Sequence, residues 1–141
     1  MPATLLRKGL TYAIEEFIYK FCDSGRAEDK EKLDISFQYQ NIPELSKEIT
    51  INLYRMIQEI VHNAGKHSNA ATMKVILLER KALLYIYCKD DGIGISSPET
   101  SLPKNGIGLE SLQNRAEMLG GKLQFKNNKG TEYFIEIPLT D

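Results

Sequence analysis

Residues 71–88 read ATMKVILLERKALLYIYC. Two apolar runs rich in β-branched and aromatic residues, Ala71–Leu78 and Ala82–Cys88, flank the charged Glu79-Arg80-Lys81. That pattern predicts a β-hairpin with the charged tripeptide as its connection. A second pair of strands is expected at the C-terminal end, Lys122–Lys126 and Thr131–Leu139. Between them stands Asn127-Asn128-Lys129-Gly130, a strong turn signal. Two hairpins force antiparallel pairing, so a purely parallel, doubly wound sheet is excluded. Upstream, Leu33-Asp34-Ile35-Ser36-Phe37-Gln38-Tyr39-Gln40 alternates strictly between apolar and polar. This is the pattern of a strand with one wet face, and it makes a fifth strand.

Three helices are predicted around these strands. From Leu5 to about Cys22, Leu6, Leu10, Ala13, Ile14, Phe17, Ile18 and Phe21 recur at helical spacing, and Asp23-Ser24-Gly25 closes that helix. Ser46, Lys47 and Glu48 open a long helix running to about His67. Helical spacing returns from about Gly108 through Leu109, Leu112, Ala116 and Leu119, and Gly120-Gly121 supplies the stop. The order is helix, strand, helix, two strands, loop, helix, two strands. The predicted fold is α/β, a two-layer α/β sandwich with a mixed five-stranded sheet and three helices on one face.

The chain has 141 residues, 42% hydrophobic and 26% charged, which suits one domain over residues 1–141 and excludes wholesale disorder. Lys plus Arg number 18 against 19 Asp plus Glu, a net charge of −1. Without a basic excess there is no electrostatic case for sequence-independent nucleic-acid binding, and no nucleic-acid partner is expected. No apolar run approaches the ~20 residues that cross a bilayer, and MPATLLRKGLTYAIEEF lacks the features of a secretory signal. The two cysteines, Cys22 and Cys88, lack C-x-x-C spacing and read as reduced thiols of a cytoplasmic protein.

Four features carry chemistry. On the long helix, Asn52, Arg55, Glu59, His62, Asn63 and Lys66 share one side, opposite the apolar stripe Leu53, Met56, Ile57, Ile60, Val61 and Ala64. A solvated polar face is the plain reading. The mixture favours more, because Glu59 and Asn63 offer the hard oxygens that Mg²⁺ accepts, and Lys66 and His67 can meet phosphate oxygens. The second feature, Asp90-Asp91-Gly92-Ile93-Gly94, stands where a buried strand leaves the sheet. It is either a tight turn or a site where a carboxylate accepts from the exocyclic amine of adenine while glycines let a flat ligand approach. The third, Gly106-Ile107-Gly108-Leu109, opens a helix and can expose backbone N–H groups to phosphate. The fourth, Gly130-Thr131, means nothing by itself.

Taken together and in this order, the four resemble the catalytic ATP-binding domain of sensor histidine kinases. Its Bergerat-type ATPase fold is shared with DNA gyrase B, Hsp90 and MutL. The resemblance spans essentially the whole chain. Leu53–Ser68 looks like the family's N box, Asp90–Gly94 its first glycine box, Gly106–Leu109 the second and Gly130-Thr131 the third. The Tyr54-Arg55 opening, the Lys66-His67-Ser68 ending and Asn114–Gly121 are similar to a narrower subgroup, the nitrate/nitrite sensors and membrane-fluidity thermosensors. The resemblance implies ATP and Mg²⁺ as cofactors. It implies that Asp90 binds the adenine amine, that Asn63 holds Mg²⁺ and that Glu59 is the catalytic base or polarising group near the γ-phosphate. Lys66 and His67 would touch phosphates, Gly92 and Gly94 would shape the adenine pocket, and Thr131 would sit beside Asp90. Gly106, Gly108 and Leu109 would anchor a lid, and Ser96–Asn105 is expected to be mobile without nucleotide. Two positions depart from the pattern: Asp91 stands where Asn is frequent, and Gly65 where Leu or Ala is usual, which predicts a looser helix end.

In that family the phosphoacceptor histidine lies on a separate dimerising hairpin upstream, and the two histidines here, His62 and His67, belong to the nucleotide-binding helix. The expectation is therefore a fragment of a longer, cytoplasmic kinase, monomeric by itself, that binds ATP with little turnover. Its partners would be the dimerisation domain of the parent and a cognate response regulator. No direct membrane contact is expected of these residues, and an anchor in the parent is left open. The alternative is a nucleotide-gated module or serine kinase like the anti-sigma factors of the same superfamily. No P-loop G-x-x-x-x-G-K-[ST] and no His-Arg-Asp with Asp-Phe-Gly occur, so the other large kinase folds are excluded.

Overall fold

A computed structural model describes residues 3–23, 33–67, 69–93, 109–127 and 129–139. The expected lid, Ser96–Asn105, and the glycines Gly94, Gly106 and Gly108 lie outside the described residues.

The chain begins with α1 (Ala3–Lys8) and α2 (Leu10–Asp23), followed by β1 (Asp34–Gln40) and α3 (Lys47–His62). The hairpin β2 (Thr72–Arg80) and β3 (Leu83–Asp90) comes next. Helix α4 (Leu109–Met118) and the pair β4 (Lys122–Asn127) and β5 (Thr131–Pro138) complete the fold. The five strands form one sheet in the order β1-β2-β3-β5-β4. Only β1 and β2 are parallel, and the connection between them carries α3 across the sheet. The other three pairings are antiparallel, so the sheet is mixed, as expected.

One face of the sheet meets the helices. Val75, Leu77, Leu84, Ile86, Cys88, Tyr133, Ile135 and Ile137 are buried there at alternating positions. Leu53, Met56, Ile57, Ile60, Val61 and Ala64 of the α3 region close the core from the other side. Ser46 starts α3 by accepting the Ile49 N–H on its hydroxyl at 3.2 Å, which satisfies one of the orphan donors of the first turn. Among the described residues, no helix is long and apolar enough to cross a membrane.

Three expected boundaries are corrected. The first helix is two, because Gly9 takes φ +91 and turns the chain between α1 and α2. Apolar periodicity runs through that point unbroken, since both helices pack on one core. The β2–β3 connection is Lys81-Ala82 rather than Glu79–Lys81. Both turn residues have left-handed φ, 53° and 63°, as a two-residue hairpin joining twisted strands requires. The Glu79 carboxylate accepts the Ala82 N–H at 3.0 Å, so the charged triplet stabilises the turn from within the strand. Finally, the α-helical ladder of α3 ends at His62, and Asn63–His67 form a wider π-turn. Gly65 lies in it against the Phe21 ring, whose Cζ would be 2.9 Å from a Cβ.

Candidate functional site

The sheet itself aligns the first two residues of interest. In the β3–β5 ladder, Asp90, the last residue of β3, pairs with Thr131, the first of β5. Each is 1% exposed. Asp90 Oδ1 accepts the Gly92 N–H at 2.8 Å and the Thr131 N–H at 3.4 Å. Asp90 Oδ2 and Thr131 Oγ1 are buried and have no hydrogen-bond partner among the described residues. A buried polar atom left unpaired costs about 1–3 kcal/mol, and two side by side are an exception that calls for a cause. Burial raises the Asp90 carboxyl pKa above its ordinary value, and the N–H groups of Gly92 and Thr131 oppose the shift. A carboxylate acceptor beside a hydroxyl, which can donate or accept, suits a ligand edge that presents both a donor and an acceptor.

Gly130 makes this juxtaposition possible. It has φ +126, and a Cβ there would run into the backbone carbonyl oxygen of Asp90. Only a residue without a side chain lets β5 begin so close to the end of β3. The weakest of the four sequence features thus gains a steric reason.

The α3 side supplies the second group. Asn63 caps α3 and opens the π-turn, and such bulges are frequent at functional sites. Its side chain is buried, and its Nδ2 donates to the Tyr133 phenol oxygen at 3.5 Å. Glu59, one turn earlier, is half-buried. Asn63 therefore meets Tyr133, which shares the inward side of β5 with Thr131, and Glu59 stands one turn before Asn63 on α3. Among the described residues no group of three His, Cys, Asp or Glu is arranged to hold a metal ion. Two oxygen donors do fit Mg²⁺, which keeps most of its coordination for water and phosphate. Lys66 and His67 belong to the π-turn, and their side chains lie outside the described residues. Gly92 follows the carboxylate and is half-buried, and Leu109 starts α4.

The polar side of α3 is not a uniform solvated face. Asn52 is buried, donates to the Glu48 carbonyl at 2.9 Å and accepts from Arg115 Nη1 at 2.8 Å, which ties α4 to α3. His62 packs against the rings of Phe17 and Phe21. Arg55 alone of the six expected on that side is exposed among those described.

Two residues of the site region escaped the sequence reading. Asp91, noted only as a departure from Asn, accepts the N–H groups of Ala71 and Thr72 at 2.8 and 3.0 Å and the Thr72 hydroxyl at 2.9 Å. These bonds hold its carboxyl below the usual carboxylate range and fasten the start of β2 to the end of β3. Tyr133 shares the inward side of β5 with Thr131, two residues on, and that parity was the available signal. The two cysteines form no disulfide: Cys88 is buried, with its thiol pushed up to about 12, chiefly by burial, and Cys22 donates to the Leu33 carbonyl at 3.2 Å.

Comparison with known proteins gives the family and the fold. The family described as "Histidine kinase-, DNA gyrase B-, and HSP90-like ATPase" matches residues 48–141. Over 140 residues the chain is 29% identical to the sensor histidine kinase LiaS of Bacillus subtilis, covering 98% of this chain and 36% of LiaS. It is 30% identical over 135 residues to the nitrate/nitrite sensor protein NarQ of Escherichia coli, covering 95% of this chain and 23% of NarQ. Both relatives are therefore much longer than the chain. Among solved structures, the blue-light activated histidine kinase of Erythrobacter litoralis superposes with a TM-score of 0.68 at 22% identity, over 92% of this chain and 41% of that one. The ATP-binding domain of PrrB from Mycobacterium tuberculosis gives 0.63 at 19% identity, over 94% and 92%. At such identities these two likenesses speak to the fold, and the family match covers the residues from α3 onward. The chain belongs to the histidine kinase-, DNA gyrase B- and HSP90-like ATPases, and it is a catalytic ATP-binding domain of the sensor histidine kinase type.

Proposed function

We propose that this domain binds Mg-ATP between Asp90–Thr131 and Glu59–Asn63 and presents the γ-phosphate to a histidine outside these 141 residues. That acceptor would lie on the dimerisation domain of a sensor kinase, and the phosphoryl group would pass on to a cognate response regulator. The names of the relatives support this reading, which implies the cytoplasm, where ATP is available, as the compartment.

The observation that carries it is the pair of buried oxygens without a hydrogen-bond partner among the described residues, Asp90 Oδ2 and Thr131 Oγ1. Adenine offers an amine donor next to a ring-nitrogen acceptor. The amine would satisfy Asp90 Oδ2, and the Thr131 hydroxyl would donate to the neighbouring nitrogen. Gly92 already donates to Asp90 Oδ1, which leaves Oδ2 for that contact. Gly94, Gly106, Gly108 and Leu109 are proposed to close over the nucleotide, and Lys66 and His67 to bind phosphate oxygens.

At the other end, Asn63 would hold Mg²⁺ through its amide oxygen. When bound, the cation neutralises and orients the triphosphate. Glu59, half-buried one turn away, would accept or polarise the proton of the attacking imidazole. Catalysis of this kind is mostly positioning, since phosphoryl transfer needs the acceptor in line and the charge balanced.

Discrimination between purines tests the reading. Inosine diphosphate carries a carbonyl where adenosine diphosphate carries the amine, so it would set an acceptor against Asp90 Oδ2. ADP should bind and inosine diphosphate should compete for the site about tenfold or more weakly, as for a buried acceptor left unpaired. Equal competition would remove the basis of the proposal.

A further inference from the structure

We infer that Tyr133 is a positioning residue whose phenol oxygen, 3.5 Å from Asn63 Nδ2, sets the orientation of the Asn63 amide and couples the purine end of the cleft to its metal end. The inference rests on the reading of Asn63 as the Mg²⁺ ligand and adds a residue to it. The two ends of an amide differ: the oxygen is a hard ligand, and the nitrogen repels a cation. A metal-binding asparagine therefore needs a partner that takes its nitrogen. Tyr133 supplies that acceptor from a rigid strand, two residues beyond Thr131 and on the same side of β5. Its side chain is 1% exposed and Asn63 is 5% exposed, so the contact is made in the buried layer rather than through solvent.

The phenol keeps its proton at neutral pH. Burial raises its pKa, and the charges of Asp90 and Glu59 add to that, while the Asn63 hydrogen bond opposes it. A tyrosine placed only to fill the core would do as well as phenylalanine. Outer partners of metal ligands, by contrast, fix the ligand's orientation, and their loss shows in metal affinity.

The test compares the affinity of a fluorescent ADP analogue in Mg²⁺ and in EDTA, for the wild type, Tyr133→Phe and Asp90→Asn. In Tyr133→Phe the affinity in EDTA should stay within about twofold, and the gain on adding Mg²⁺ should shrink about three- to tenfold, as for one lost hydrogen bond. An undiminished Mg²⁺ gain would overturn the inference. So would an equal loss in both conditions, which would mark Tyr133 as a wall of the purine pocket. Asp90→Asn tests the underlying reading separately, because it should weaken binding with and without Mg²⁺. If it leaves binding intact, the nucleotide reading fails, whatever Tyr133→Phe does. Should Tyr133→Phe fail to fold, the side-chain amide protons of Asn63 in nitrogen-15 spectra of the wild type decide the matter. Slow exchange supports a buried Nδ2 bond, and rapid exchange overturns it.

Discussion

Asp90 and Thr131 face each other as the final rung of the β3–β5 ladder, and each keeps one buried oxygen without a hydrogen-bond partner among the described residues. A folded chain gains nothing from such an arrangement by itself. It is a cost in the empty protein that a ligand can offset.

That cost predicts a variant that is sound but unable to bind. Burial raises the Asp90 pKa, so the folded state holds the proton more tightly than the unfolded chain does. Stability therefore rises as pH falls from above the raised pKa toward the ordinary carboxylate value, and the penalty is complete above the raised pKa. Asp90→Asn removes this dependence. Without nucleotide it should melt at the same temperature as the wild type or higher at neutral pH, with the difference narrowing on acidification. Thermal melts across that range check it, and a clear loss of stability at neutral pH would count against the assignment of cost.

Asp91 should behave in the opposite sense. Its carboxyl is held low by the Thr72 and Ala71 N–H groups and the Thr72 hydroxyl, so its contribution is present above the usual carboxylate range and fades as pH falls through its lowered value. The group is exposed, which limits its worth. Asp91→Ala should cost about 1 kcal/mol at neutral pH in urea unfolding, and less in acid.

Gly130→Ala should be far more damaging than its chemistry suggests. The added methyl meets the Asp90 carbonyl at a φ of +126, which L-residues rarely adopt. A loss of more than about 2 kcal/mol is expected in denaturant unfolding, together with weaker nucleotide binding, because Asp90 must shift. Alanine tolerated at this position without effect would show that β3 and β5 do not meet as described.

The element types were legible because their signals are local. The alternation of Leu33–Gln40 and the stripe from Leu53 to Ala64 each report a single buried face, and the structure buries Leu53, Met56, Ile57, Ile60, Val61 and Ala64. The break at Gly9 was not legible, because the apolar spacing continues through it and only φ changes. Asp90 could be picked out by its place at a strand end beside glycines. The importance of Gly130, Tyr133 and Asp91 depends on partners distant in the chain, 70 residues away for Tyr133 and 19 and 20 for Asp91, which spacing along the chain does not encode. The family resemblance supplied roles for the boxes, while the partners of those boxes came from the geometry.

Gly65 and Phe21 provide a test of that distinction. An alanine methyl at position 65 would come within 2.9 Å of Phe21 Cζ, so Gly65→Ala should destabilise the wild type despite better helix propensity. In a Phe21→Leu background the same change should be neutral or stabilising by up to about 1 kcal/mol. A double-mutant cycle showing independent effects would mean that the ring does not occupy that space.

Binding of ADP to the wild type and to Asp90→Asn reports whether Asp90 holds the purine. The N–H groups of Gly92 and Thr131 would keep the amide oxygen of the variant on their side and turn its NH₂ toward the ligand amine, donor against donor. The wild type should bind, and folded Asp90→Asn should bind about tenfold more weakly or worse. Equal affinity in the two folded proteins would contradict it.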